Sequence, residues 1–207
     1  MNSTENEKRL KIPRRQFIAC GVAMSFMPWV PVAARYEDHR LPLTPQCDSQ
    51  KPVTPAQTPG PFYLPNSPER SDLREPSDAG KPFLLQTMVV NRDCVPLQGV
   101  IVELWHADGQ GRYDTKGYRY RGMQLTTAEG RTLFKAIKPG LYPGRTPHFH
   151  VRLWQEGQLQ LTTQLYFQGM TQNERDFLFN PALLMQEQEN TDHHSGVFLF
   201  VIDSHPV

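Results

Sequence analysis

The sequence predicts an all-β protein, an antiparallel β-sandwich core with long loops. From residue 83 onward, about seven short apolar and β-branched segments alternate with turn residues. Proline, 19 in all, clusters before that point, so an extended N-terminal approach precedes the compact domain. Glycine-rich phosphate loops, GxSxG elbows, CxxC pairs and internal repeats are all missing, which leaves nucleotide and nucleophilic-serine chemistry unsupported.

Taken in order, residues 1–34 read as an export signal. Lys8, Arg9, Lys11, Arg14 and Arg15 form a basic opening, and Arg14-Arg15-Gln16-Phe17-Ile18 resembles a twin-arginine motif. Val32-Ala33-Ala34 is a cleavage site of the small-residue kind, so a periplasmic or secreted protein is expected. Residues 35–80 form an extended proline-rich arm, in which Thr58-Pro59-Gly60-Pro61-Phe62-Tyr63 brings two aromatics that need burial. Residues 81–207 form the sandwich.

Strands are expected at residues 83–91, 100–106, 123–127, 131–137, 148–154, 159–167 and 197–203. Ala128-Glu129-Gly130 reads as a hairpin turn between the third and fourth. Thr171 to Glu174 has capping-box spacing, so a short helix is expected in the C-terminal third.

The net charge of +1 gives no electrostatic case for a nucleic-acid partner. No apolar run reaches the roughly 18 residues of a membrane span. Loss of the signal would leave Cys47 and Cys94, which an oxidising compartment permits to pair; the pattern itself does not bring them together.

The chemistry concentrates in residues 139–150, PGLYPGRTPHFH. On a strand, His148 and His150 share one face while Phe149 points into the opposite layer. Such a pair alone is more often structural than metal-binding. Two tyrosines on turns, Tyr113 after Gly109-Gln110-Gly111-Arg112 and Tyr142 six residues before His148, complete a possible N2O2 ligand set. A phenol with a pKa of about 10 binds as phenolate only to a strong Lewis acid. No cysteine or carboxylate stands at ligand spacing, so ferric iron, Fe(III), suits this set better than zinc or ferrous iron.

The blocks WHADGQGRY, RGMQLTT, FKAIKPGLYPGRTPHFH and TQLYF, in this order, resemble the intradiol ring-cleavage dioxygenases, most closely the protocatechuate 3,4-dioxygenase branch. The resemblance implies Tyr113, Tyr142, His148 and His150 as iron ligands. It implies Arg145 and Gln164 beside the substrate, with Gly60, Pro61 and Tyr63 of the arm bordering it. It further implies a small aromatic diol and dioxygen as substrates, and an oligomer of this chain or with a related subunit. In the implied reaction Tyr142 is the general base, and Arg145 with Gln164 stabilises the anionic substrate. The product is a cis,cis-muconate-type dicarboxylic acid.

Two departures bear on substrate choice. Pro59-Gly60-Pro61 replaces the family's Glu-Gly-Pro, and Gly144 stands where protocatechuate enzymes carry a bulky aromatic. His106, Trp105, Trp154 and Phe149 read most simply as packing residues, Asp108 as a turn residue, and His39, His193, His194 and His205 as solvated. The competing reading is a non-catalytic, transthyretin-like binding module. It gives no reason for the full Tyr, Tyr, His, His, Arg set.

Overall fold

The computed structural model describes residues 47, 52–76, 80–189 and 194–203. The expected export signal lies outside them, as do His39, His193, His205 and most of residues 35–51. Among the described residues, eight strands form two four-stranded sheets: β1 (Pro82–Val90), β2 (Ile101–Trp105), β3 (Arg121–Leu125), β4 (Arg131–Ile137), β5 (His148–Gln155), β6 (Gln158–Tyr166), β7 (Gln186–Glu189) and β8 (His194–Val201). One sheet runs β4-β1-β8-β7, the other β3-β2-β5-β6. All neighbours are antiparallel except β1 and β8, which pair in parallel from Phe83↔His194 to Val90↔Val201.

Three local expectations are corrected. Residues 123–137 do not make a hairpin ladder, because β3 pairs with β2 and β4 with β1 in the other sheet. The turn keeps hairpin-like bonds (Thr127 N–H to Arg131 O, 3.0 Å), and the chain then crosses between layers. The short helix is a 3-10 turn, Thr171–Arg175, capped at Met170 without a side-chain bond, so Thr171 caps nothing. Its hydroxyl instead meets the Gln172 side chain. The polar strand β7 was not expected at all, and His194 opens β8 opposite Phe83 and Glu189.

The core lies between the sheets. Alternation along β5 sends Phe149, Val151 and Leu153 inward, all fully buried. Phe83, Phe149 and Phe167 form an aromatic cluster with centroids 5.2–5.5 Å apart. Burying each such side chain contributes about 1.5–3 kcal/mol. The same alternation puts His148, His150, Arg152 and Trp154 on the outer face of the second sheet.

Residues 52–76 cross the sandwich without regular structure and are fixed by backbone bonds. Thr54 N–H donates to Val201 O (2.9 Å), Gln57 N–H to Thr162 O (2.8 Å) and Leu73 N–H to Lys135 O (2.8 Å). Cys47 is disulfide-bonded to Cys94, 47 residues on, and packs against Val90, Leu199 and Val201. Among the described residues, no helix is long and apolar enough to cross a membrane.

Candidate metal centre

Strand register builds the floor of the site. Arg121, Trp105, His150 and Gln164 stand opposite one another on β3, β2, β5 and β6, and His148 faces Tyr166. Antiparallel pairing of outward-facing residues thereby sets a row of polar and aromatic side chains across four strands.

The two tyrosine turns dock backbone to backbone above this row. Gly111 adopts φ +81°, and a Cβ there would lie 1.9 Å from Leu141 O. A Cβ on Gly140 would meet Gly109 O and Gly111 N at 2.5 Å. Only glycine permits this approach. Asp108 ties the pair together: its carbonyl accepts from Gly111 N–H (3.0 Å) and Gly140 N–H (2.9 Å), and its carboxylate accepts from Gln110 and Arg112. It is the turn residue expected.

Three donor atoms converge where the turns meet the floor. Tyr113 Oη lies 3.2 Å from His148 Nε2 and 3.0 Å from His150 Nε2, and the two Nε2 atoms are 3.1 Å apart. Donors bonded at about 2.0–2.1 Å to one ion and roughly 90° apart lie about 3 Å from each other, so this triangle fits a shared metal. Among the described residues no group of three His, Cys, Asp or Glu converges, and the third donor beside the two histidines is the Tyr113 phenol oxygen. That donor set fits Fe(III).

Each donor is oriented differently. His148 Nδ1–H donates to Thr146 O at 2.6 Å, which frees Nε2 as a lone-pair donor. Burial, then the Arg145 charge, pushes His148 down to about 4. His150 lies flat on Trp105, centroids 4.8 Å apart, and burial holds its pKa well below the usual value. Burial raises the Tyr113 pKa, against the pull of Arg145 and Arg121. Phe62 stacks on Tyr113 at 4.6 Å. Buried Arg121 donates from Nη2 to Phe62 O (2.6 Å) and Asp114 O (2.8 Å), clamping the segments on both sides of Tyr113.

Tyr142 is half-buried and is placed by edge contacts with Phe62 (5.5 Å) and Tyr113 (5.9 Å). Arg145 Nε donates to both carboxylate oxygens of Asp176 at 2.9 Å, and its Nη2 to Gln164 Oε1. Gln164 Nε2 in turn donates to Thr58 O at 3.0 Å.

A family model described as Dioxygenase matches residues 58–194. The chain belongs to the intradiol ring-cleavage dioxygenase family. This family cleaves catechol-type rings and uses non-haem Fe(III). The chain is 44% identical to the dioxygenase domain of a dioxygenase carbohydrate-binding protein fusion from Streptomyces sp. SirexAA-E. That match covers 74% of this chain and 100% of the other, with TM-score 0.72. An intradiol ring-cleavage dioxygenase from Tetranychus urticae, 22% identical with TM-score 0.69, shares the fold over 76% of this chain and 98% of its own. The protocatechuate 3,4-dioxygenase beta chain of Burkholderia cepacia is 30% identical over 141 residues, 59% of each chain. Catechol 1,2-dioxygenase 1 of Acinetobacter lwoffii is 26% identical, over 65% of this chain and 53% of its own. The chain thus spans somewhat over half the length of these two curated relatives.

In this member of the family Tyr113, Tyr142, Arg145, His148, His150 and Gln164 are linked by ring contacts, hydrogen bonds and strand register. The arm residues divide. Gly60 (φ +69°) presses on the centre, a Cβ there lying 3.4 Å from His150 Cε1. Pro61 is exposed beside it. Tyr63 turns away: its hydroxyl donates to Glu103 at 3.3 Å, and Arg152 lies 3.6 Å over its ring. His106 packs against Tyr120 and Phe149 and bonds Ala107 O, as a packing residue.

A pocket of about 440 Å³ opens between Leu141, Tyr142, Pro143 and Gly144 on one side and Arg145, Gln172 and Arg175 on the other. Gly144 has φ +76° and open space where a side chain would stand. Sequence reasoning missed Asp176, Phe62 and Arg121 as parts of the site. Arg121 stood inside a quoted motif; Asp176 carried no pattern signal.

Proposed function

We propose that the chain is a non-haem Fe(III) intradiol dioxygenase. It opens a catechol-type ring between the two hydroxyl-bearing carbons and yields a cis,cis-muconate-type dicarboxylic acid containing both atoms of dioxygen. The observation that carries this reading is the triangle of Tyr113 Oη, His148 Nε2 and His150 Nε2 beside Arg145 and Gln164. Tyr113, Tyr142, His148 and His150 would hold the metal. When bound, ferric iron supplies the Lewis acidity that keeps phenols deprotonated and holds a diol for attack by dioxygen.

The chain's own residues divide the remaining work. Tyr113 is fixed by two histidines, Phe62 and the Arg121 clamp, so it stays in place. Tyr142 stands at the pocket wall on ring contacts alone, so its Oη is the base that takes a hydroxyl proton from the diol. Arg145, 12% exposed, aims its guanidinium at the reacting ring, where negative charge develops. Gln164 is fixed by Thr58 O and fixes Arg145 in turn. Leu141 and Pro143 give the ring an apolar wall, and Gly144 leaves room for a substituent.

Two further statements belong to this reading. Arg14-Arg15 directs export, and the Cys47–Cys94 disulfide supports an oxidising destination. The chain works as an oligomer, alone or with a related subunit; the Burkholderia relative's name, a beta chain, supports this. The test is metal analysis and oxygen uptake with a panel of catechols. One iron per chain and one dioxygen per diol are expected. A colourless protein that takes no iron and consumes no oxygen refutes the reading.

A further inference from the structure

We propose that Asp176 is the positioning residue of this site, acting on the substrate through Arg145. The proposal rests on the dioxygenase reading above.

The Asp176 carboxylate is fully buried. Oδ1 accepts from Arg145 Nε (2.9 Å) and Leu178 N–H (3.0 Å). Oδ2 accepts from Arg145 Nε (2.9 Å) and Thr146 N–H (3.0 Å). Its own backbone is also held: Asp176 N–H donates to Gln172 O (3.1 Å), and Asp176 O accepts from Phe179 N–H (3.0 Å). A carboxylate with this many bonds has one position.

That position decides two others. Arg145 spends Nε on Asp176 and Nη2 on Gln164 and Tyr166, which leaves the Nη1 edge outside these bonds. The same carboxylate accepts the Thr146 N–H, and that residue's carbonyl accepts His148 Nδ1–H at 2.6 Å while its hydroxyl donates to Asn173 at 2.7 Å. One buried group therefore aims the guanidinium and fixes the carbonyl that sets the His148 tautomer. Asp176 also offsets the Arg145 charge, so Arg145 serves as an aimed hydrogen-bond donor, not as a free cation that would seize any anion. An exposed ion pair could do neither.

Asp176→Asn tests it. The amide is the same size, but its NH2 opposes Arg145 Nε–H, so the guanidinium loses its aim. The iron-loaded variant should keep the colour and bind a catechol within about threefold of wild type by spectral titration. Turnover per bound iron should fall about a hundredfold, the usual effect of a displacement near 1 Å. A merely structural role predicts fewer iron-loaded molecules with unchanged turnover per iron, and that result overturns the proposal. Arg145→Leu/Asp176→Asn strands neither charge and covers failure of the single variant to fold. It should retain iron and colour, with turnover per iron within about threefold of Arg145→Leu alone, because Asp176 acts through Arg145. A further loss of about tenfold or more beyond Arg145→Leu, or loss of the iron, overturns the proposal. Wild-type protein that binds no iron or consumes no oxygen refutes the dioxygenase reading itself, whatever the variants do.

Discussion

His150 and Trp105 lie face to face, ring centroids 4.8 Å apart and planes within 4° of parallel. They are also register partners on β5 and β2. His148 is oriented by a hydrogen bond, whereas His150 Nδ1 is buried without one, so the indole does the orienting. Trp105→Phe leaves a smaller, mobile platform. We expect the fold to persist and iron to be held about tenfold less tightly, the scale of a lost ligand-orienting contact. Chelator competition measures it; unchanged affinity would remove Trp105 from the centre.

Tyr113 Oη is the atom common to both histidine contacts. Tyr113→Phe deletes one oxygen and nothing of the ring that stacks on Phe62. Most of the iron and the visible phenolate-to-metal band should disappear, with thermal stability of the metal-free chain little changed. Full iron and an unaltered spectrum would show that Tyr113 is not a ligand.

Gly111 and Gly144 both have positive φ, yet only Gly111 faces a neighbouring backbone. Gly111→Ala must part the Tyr113 and Tyr142 turns, at a cost of more than about 2 kcal/mol, and lower iron occupancy. Gly144→Ala should cost only about 1 kcal/mol and leave the iron in place. Urea denaturation with metal analysis separates the two. Equal effects would mean that the docking of the turns does not matter.

The metal-free chain should lose stability in mild acid. His148 is held neutral, its pKa pushed down from 6.5 to about 4 mainly by burial, and His150 is shifted the same way. The unfolded chain therefore takes up protons first as pH falls. Stability is full above about pH 6.5 and declines towards pH 4, by roughly 3 kcal/mol for His148 alone. Asp72, bonded by Arg74, is held below its usual 3.8, so the stability it contributes is lost only beneath that window. Denaturant midpoints of chelated protein at pH 7.5, 5.5 and 4 provide the check, and a flat profile contradicts it.

The alternation of His148, Phe149 and His150 was legible because a strand's period is two, and it placed two donors outward and one ring in the core. The convergence of Tyr113 with His148 and His150 was legible because phenol and imidazole donors at this spacing are restrictive. Residues 123–137 were misjudged as a hairpin because a tight turn reports local bonds, not which sheet each arm joins. Strand β7, Gln186–Glu189, is short and polar, and it forms by pairing at a sheet edge, which no apolar pattern announces. Asp176 looks like surface charge in Asn-Glu-Arg-Asp-Phe until the fold delivers Arg145 to it. Tyr63 follows Phe62 by one residue, yet only Phe62 stacks on Tyr113, while Tyr63 bonds Glu103, a split that no sequence pattern announces.

Ring opening under labelled dioxygen tests the central claim most directly. The iron-loaded chain is mixed with a catechol under 18O2, and the product is isolated and weighed by mass spectrometry. The account predicts a cis,cis-muconate-type dicarboxylic acid carrying both labelled atoms, with cleavage between the two hydroxyl-bearing carbons. An unopened quinone, a product cleaved beside the diol, or a ring-opened acid without the label would contradict it.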